Sequence, residues 1–242
     1  MYRAQGKNTE AEPLQIRALE ILERQYGKTH SLVAISLNNL ALVYVELKKY
    51  SNAESLYNRA IDINTKLFGE GNPKIATNFT NLANLYNNQG KFAEAEPLCK
   101  KVLKINEQQF GEMHQDTIAS LNQLALTYQA QGKFTEAEAL YIKMLNINEQ
   151  KPEEIPFDIT DCLNNLALVY RALKKYSEAE PVYKRLLKIY KQQYGEDDRS
   201  FTTTLNNLAL IYSNQNNFTK AEQLYKRALE AIKKNHGKSH TD

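Results

Sequence analysis

The 242-residue sequence has no tryptophan, two cysteines, a net charge of +3 and no long apolar run. Each shortage excludes something. No stretch approaches the roughly 20 apolar residues that a membrane-spanning helix needs, and the N-terminus lacks a signal-peptide core. Cys99 and Cys162 fall at unrelated points of the pattern described below. A disulfide framework is therefore not expected, and a reducing cytoplasm is the expected compartment. Lys and Arg are interleaved with Asp and Glu, which reads as solvated helix surface and offers no basic stripe to nucleic acid. There is no G-x-G-x-x-G, Walker loop or H-E-x-x-H to hold a nucleotide or a catalytic zinc. What remains is ordinary folding material, 42% apolar and 24% charged.

Comparing the chain with itself shows how that material is arranged. The segment Leu37 to Tyr44 returns at Phe79 to Tyr86, Leu121 to Tyr128, Leu163 to Tyr170 and Leu205 to Tyr212, always 42 residues on. A second segment, Tyr50 to Glu54, recurs from Phe92, Phe134, Tyr176 and Phe218, and faintly from Asn8. Leu37, Leu40, Ala41 and Tyr44 lie at i, i+3, i+4 and i+7, one face of a helix. Ala53, Tyr57 and Ala60 make a shorter stripe on a second helix. Ser51 with Glu54, Thr135 with Glu138, Ser177 with Glu180, Thr219 with Glu222, and Thr9 with Glu12 have the spacing of a capping box, predicted to start the second helices. Gly27, Gly69, Gly111, Gly195 and Gly237 are expected to close them in the left-handed region. One column is Ala in all five copies (Ala41 to Ala209) and another in all six (Ala11 to Ala221). Methyl groups there allow close helix approach, and Leu would overpack the site by about 1–3 kcal/mol.

The order Leu37, Leu40, Ala41, Tyr44, then Ala53, Tyr57, Ala60 resembles the tetratricopeptide repeat. The 42-residue period, the linker Gly69 to Pro73 and the run Gly90 to Lys100 resemble the kinesin light chain variety. HEAT or armadillo repeats fit the period but not the Ala/Tyr spacing. The resemblance implies an all-α, right-handed helical-hairpin solenoid, the tetratricopeptide repeat superhelix, over residues 1–242. A partial repeat 1–30 precedes full repeats 31–72, 73–114, 115–156, 157–198 and 199–240. In the fourth linker Glu153 replaces the glycine and Pro152 and Pro156 are added, so the helix before it is expected to stop early. Met1 aligns with Val43 and Tyr2 with Tyr44, and Gly237 to Asp242 opens a linker. Neither end has a polar cap, so a piece of a longer array is expected, with fraying or end-to-end self-association where Leu224, Leu229 and Ile232 lie uncovered.

Candidate chemistry is dispersed. His30, His114 and His240 share one linker position and His236 another, one per repeat rather than converging as a metal or catalytic site requires. Cys99 takes the place of Tyr57, Tyr141, Tyr183 and Tyr225, a small core residue. The 15 tyrosines fall mainly into two core registers, so base stacking is not their expected role. No cofactor and no enzymatic activity are expected.

The asparagines are different. Asn38, Thr80, Asn122, Asn164 and Asn206 share one register, lying below Leu42 and Val45 and, in later repeats, below Asn84 and Asn87, Leu126 and Gln129, Leu168 and Arg171, Leu210 and Ser213. That stripe mixes amides with leucines. The next register, Asn39, Asn81, Gln123, Asn165 and Asn207, points toward apolar Val43 and its equivalents and is expected to bond backbone across repeats. The resemblance implies that first helices line the concave side. An Asn there offers a donor and an acceptor to an extended chain. Helices about 8–10 Å apart, against about 3.3 Å per extended residue, give roughly one amide per three peptide residues. The expected groove is therefore Asn38, Thr80, Asn84, Asn87, Asn122, Gln129, Asn164, Arg171 and Asn206, holding a protein or peptide segment. The alternative explanation is that these amides tie neighbouring helices together. Through regions outside these residues, a kinesin heavy chain or cargo adaptor could be a partner. A second reading makes the array a sensor or scaffold arm of a larger, bacterial-type signalling protein.

Overall fold

The computed structural model describes residues 8–150 and 158–238, with side chains to Lys233. The linker 151–157 and the expected boundary within it lie outside the described residues, as do Tyr2 and His240 and the side chain of His236. Eleven helices and no strand are found among the described residues. The chain divides into two compact units, Met1–Gln131 and Gly132–Asp242. The first holds α1 (Asn8–Tyr26), α2 (Ser31–Glu46), α3 (Tyr50–Phe68), α4 (Pro73–Asn88), α5 (Phe92–Phe110) and α6 (Gln115–Ala130). The second holds α7 (Phe134–Gln150), α8 (Ile159–Ala172), α9 (Tyr176–Tyr194), α10 (Arg199–Asn214) and α11 (Phe218–Lys238).

Within each unit, consecutive helices pack as antiparallel hairpins, α2 on α3, α4 on α5, α8 on α9 and α10 on α11. The alanine columns sit at their contacts: Ala41, Ala83, Ala125, Ala167 and Ala209 have no exposed surface, nor do Ala53, Ala95, Ala137 and Ala179. The rings of Tyr57, Tyr141 and Tyr183 fill the space beside them and are 0–1% exposed. Burial of one such ring contributes about 1.5–3 kcal/mol.

The turns correct the capping-box expectation. Lys48 N–H donates to Val45 O and Lys49 N–H to Tyr44 O, the paired bonds of a Schellman turn. The same pair recurs at Gly90 and Lys91, at Lys174 and Lys175, and at Asn216 and Asn217. So tight a turn makes residue 49 both the exit of one helix and the cap of the next. Ser51 and Ser177 are consequently already inside their helices, where the hydroxyl cannot cap. The caps Lys49, Lys91 and Lys175 make no side-chain capping bond, whereas Asn217 in that column accepts from Lys220 N–H. The glutamates look outward to the next repeat instead. Glu12 pairs with Lys49 and Glu138 with Lys175, each at 2.7 Å, while Glu54 and Glu180 accept from Tyr86 and Tyr212 hydroxyls at 2.8 Å.

First helices carry the side-chain caps. His30 and His114 accept from the amides of Leu32 and Asp116 through Nδ1, and Asn72, Asp158 and Asp198 do the same for Lys74, Thr160 and Ser200. Gly69, Gly111 and Gly195 close second helices at φ 79°, 83° and 86°. Gly237 does not: α11 runs through it to Lys238. The helix α7 has 17 residues against 19 in α3, α5 and α9. On α11, Phe218, Tyr225, Leu229 and Ile232 are exposed.

Candidate peptide-binding face

First helices of neighbouring repeats meet side by side within each unit, and three cavities lie along these steps. Between α2 and α4, a 310 Å³ cavity is lined by Ala34, Ile35, Asn38, Asn64, Lys74, Thr77 and Asn78, with Ser31 at one end. Between α4 and α6, a 410 Å³ cavity reaches past Thr80, Asn81, Ser120 and Gln123 to Ala83, Cys99, Val102 and Asn106. In the second unit, between α8 and α10, a 340 Å³ cavity is lined by Asn164, Leu168, Tyr183, Tyr190, Thr204 and Asn207 among others.

The expected groove residues are distributed unevenly over this surface. Asn38, Thr80 and Asn164 line cavities, one each. Asn84 is exposed, and Asn87, Asn122, Gln129, Arg171 and Asn206 are half-buried. Several are already bonded. Asn38 Oδ1 accepts from Asn81 Nδ2 at 2.9 Å and from Asn78 Nδ2 at 3.3 Å. Thr80 donates to Ala76 O at 2.9 Å, Asn87 Nδ2 to Thr127 Oγ1 at 3.1 Å, and Asn164 Nδ2 to Tyr190 Oη at 2.7 Å. Among the described residues, the carboxamides of Asn122 and Asn206 make no hydrogen bond.

Two asparagine registers expected to play separate parts meet here. Adjacent helix positions diverge by about 100°, so Asn38 turns toward the following repeat and Asn81 toward the preceding one. They bond each other, side chain to side chain, rather than to backbone. Asn39 is exposed, and Gln123 and Asn207 line cavities. A third column went unread: Asn64, Asn106, Asn148 and Tyr190, on the second helices. Asn64 Nδ2 donates to Asn78 Oδ1 at 2.8 Å, which completes a chain of four asparagines over α2, α3 and α4. Asn106 Nδ2 donates to Ser120 Oγ at 2.8 Å and Asp116 O at 3.2 Å. The recurrence of Asn at 64, 106 and 148 was the available signal.

The titratable groups here are tuned by burial more than by charge. Burial pushes the Cys162 thiol up to about 12 and raises that of Cys99, so both are protonated thiols at neutral pH. Burial also raises the Tyr183 phenol, with Arg171 opposing. No group of three or more His, Cys, Asp or Glu that could hold a metal ion is found among the described residues. No helix of the described residues is long and apolar enough to cross a membrane.

Comparison with known proteins agrees with this geometry. The tetratricopeptide repeat profile matches residues 1–66, 74–150 and 159–240. Among solved structures, a Podosopora anserina kinesin light chain-type protein with nearly identical TPR-like repeats is 24% identical, with a TM-score of 0.72 over 85% of this chain and 98% of that one. BtubC (BKLC) from P. vanneervenii is 22% identical, with a TM-score of 0.73 over 96% and 92%. YrrB, described as a TPR protein with an unusual peptide-binding site, is 15% identical, with a TM-score of 0.60 over 88% and 91%. No curated protein matches the chain.

Proposed function

The chain belongs to the tetratricopeptide repeat family, and from that premise we propose that it is a non-enzymatic scaffold holding an extended peptide segment along its first-helix face. The observation that carries this reading is the pairing of unbonded amides with uncovered leucines. Asn122 and Asn206 have no internal partner, and Leu126 and Leu210, one turn on, are 40% and 42% exposed. Such a surface supplies donors and acceptors to a peptide backbone while leaving apolar area for its side chains to cover. The likeness to kinesin light chain-type repeats supports such a role, and YrrB gives a structural neighbour with a peptide-binding site.

Not every expected groove residue serves equally. Asn38 and Asn164 are engaged internally, so their oxygens and nitrogens are half-spent before a ligand arrives. Asn122 is the stronger rung of the first unit, with Thr80, Asn84, Asn87 and Gln129 as flanking contacts, and Asn206 that of the second, flanked by Arg171.

Panning a displayed random-peptide library against the chain tests the reading. Replacing Asn122 and Asn206 together by Ala should weaken the selected peptides by about two- to tenfold on either unit, at about 0.5–1.5 kcal/mol for the bond lost there. The melting temperature should stay within a degree or two of the parent. Binding should depend on salt only modestly, because the cations of this face, Lys74, Arg171 and Arg199, are dispersed over separate repeats. Normal peptide affinity in the double variant would show that the amides do not read the ligand.

A further inference from the structure

We propose that His30 and His114 fasten the starts of α2 and α6 in a pH-dependent way: each neutral ring holds its helix start, and protonation releases it. The device stands whether or not the first-helix face holds a peptide.

Among the described residues, all five first helices begin at a side-chain cap, and two kinds of group supply it. Asn72, Asp158 and Asp198 present an oxygen to α4, α8 and α10. At α2 and α6 the acceptor is imidazole Nδ1, which takes the amides of Leu32 and Asp116, each at 3.2 Å. Nδ1 accepts only while it carries no proton, so both rings are neutral, with their hydrogen on Nε2.

Protonation turns both ring nitrogens into donors, so a ring N–H then faces a backbone N–H. It also sets a positive charge at the positive end of the helix dipole. Histidine is the side chain that ordinarily changes charge between pH 5 and 8. The capping bond is therefore present at pH 8 and is lost as the ring takes up its proton toward pH 5. Asn72, midway between His30 and His114 in the same column, has no such dependence.

The ring itself stays in place. His30 stacks on Tyr26 with centroids 4.8 Å apart, and His114 on Phe110 at 4.5 Å. A charged imidazole is attracted to an aromatic face, so the preceding helix keeps the ring while the following helix loses it. What loosens is the first turn of α2 and of α6, with Ser31 and Asp116, which line two cavities of this unit.

The surroundings separate the two starts. Helix α2 packs on α1, α3 and α4. The end of α1 brings Glu23, Arg24 and Tyr26, with Glu23 bonded to Arg59, and the end of α3 brings the pair Asp62 and Lys66. Lys28 stands in the linker, and Lys74 at the start of α4 lies over the Phe68 ring. None of these groups is ion-paired with His30. Helix α6 packs on α5, whose last turn carries Glu107, with Glu112 in the linker. There the Asp116 carboxylate lies 3.7 Å from His114 Nδ1 and offers the protonated ring a partner, which offsets part of the loss. The start of α2 is the more responsive one.

Hydrogen exchange of the full chain tests this, read by nuclear magnetic resonance at pH 8 and 5.5 and scaled to the unstructured rate at each pH. The Leu32 amide should lose protection about two- to thirtyfold at the lower pH. The Asp116 amide should lose less, and the Lys74 amide, held by Asn72 at 3.0 Å, should keep its protection. Replacing His30→Asn and His114→Asn together copies the Asn72 cap at both starts. Between pH 8 and 5.5 the melting temperature of that variant should fall by about 2–6 °C less than the parent's. Undiminished protection of Leu32 at pH 5.5, or equal falls for parent and variant, would overturn the device. An equal loss at Lys74 would overturn it too, since acid would then loosen every first helix alike.

Discussion

Between α2 and α4 the step holds the buried Tyr57 and is bridged by Asn38, Asn64, Asn78 and Asn81, whereas the matching places between α4 and α6 hold Cys99, Thr80, Asn106, Ser120 and Gln123. Backbone, helix length and alanine contacts are the same at both steps. The repeat plan therefore sets where helices lie, and a few side chains decide how each step is bonded. The first step carries a chain of four asparagines, and the second two separate bonds, Asn87 to Thr127 and Asn106 to Ser120.

Exchanging the column residue should give the largest effect. Tyr57→Cys deletes a ring with no exposed surface from a cluster containing Ala41, Ala53, Leu82 and Leu85. A loss of about 2–4 kcal/mol is expected in urea denaturation of the whole chain. Cys99→Tyr, placing a ring at a position 2% exposed and already in contact with Thr127, should cost about 1–3 kcal/mol by overpacking. Equal losses from the two changes would mean that the steps are packed alike.

The amides should come next. Asn78→Ala removes the acceptor of Asn64 Nδ2 and one donor to Asn38, stranding groups on a residue 7% exposed. That should cost about 1–3 kcal/mol. Ser120→Ala at the second step also removes an acceptor, but Asn106 Nδ2 keeps Asp116 O at 3.2 Å. About 0.5–1.5 kcal/mol is expected there. Melting curves of the two variants compare them directly, and a Ser120→Ala loss exceeding that of Asn78→Ala would reverse the assignment of roles.

Much of this was legible in the sequence, because a 42-residue period and Ala/Tyr spacing are one-dimensional traces of helix packing. The columns Ala41 and Ala53 were read correctly as contacts since only a small side chain fits where two backbones approach. The capping boxes were misread for a physical reason. Spacing of Ser51 and Glu54 suits a box, but where the helix starts depends on how tightly the preceding turn closes, and that is set by the backbone at residue 48. The site was harder. Which of two adjacent asparagines faces a ligand depends on the stagger between repeats, a relation across 43 residues that leaves no local pattern. Cys99 was recognised as a small residue in a tyrosine column. That it bonds across the step required knowing that Thr127 stands opposite.

A smaller difference lies at the hydroxyl of the first-helix tyrosine. At the first step Tyr86 Oη donates to Glu54 at 2.8 Å, with Lys91 near its ring. Burial first, and then that bond and the nearby carboxylates, push the phenol up to about 12. The neutral form is thus favoured in the folded state. Its contribution is complete below the ordinary tyrosine value of about 10 and is lost as pH rises toward 12. Tyr86→Phe should cost about 0.5–1.5 kcal/mol at neutral pH and should flatten the decline between pH 10 and 12. An unchanged alkaline slope in the variant would show that other groups govern it.

The smallest expected effect separates the two hairpin turns. Lys48 holds φ 58° where the second repeat has Gly90 at φ 72°, and Lys174 repeats the case at 57°. A side chain in the left-handed region is disfavoured by roughly 1–2 kcal/mol, because its Cβ crowds the following carbonyl. Glycine relieves that crowding but gives back about 0.5–1 kcal/mol of backbone freedom on folding. Lys48→Gly should therefore stabilise by about 0.5 kcal/mol. Gly90→Ala should destabilise by about 1 kcal/mol, although no atom lies within 4 Å of the added methyl. The empty surroundings matter, since they leave the backbone angle as the sole source of any change. Opposite signs in paired denaturation curves would confirm that both turns share one geometry and differ only in how well residue 48 or 90 suits it. A destabilising Lys48→Gly would instead assign the lysine a stabilising contact that its exposed position does not suggest.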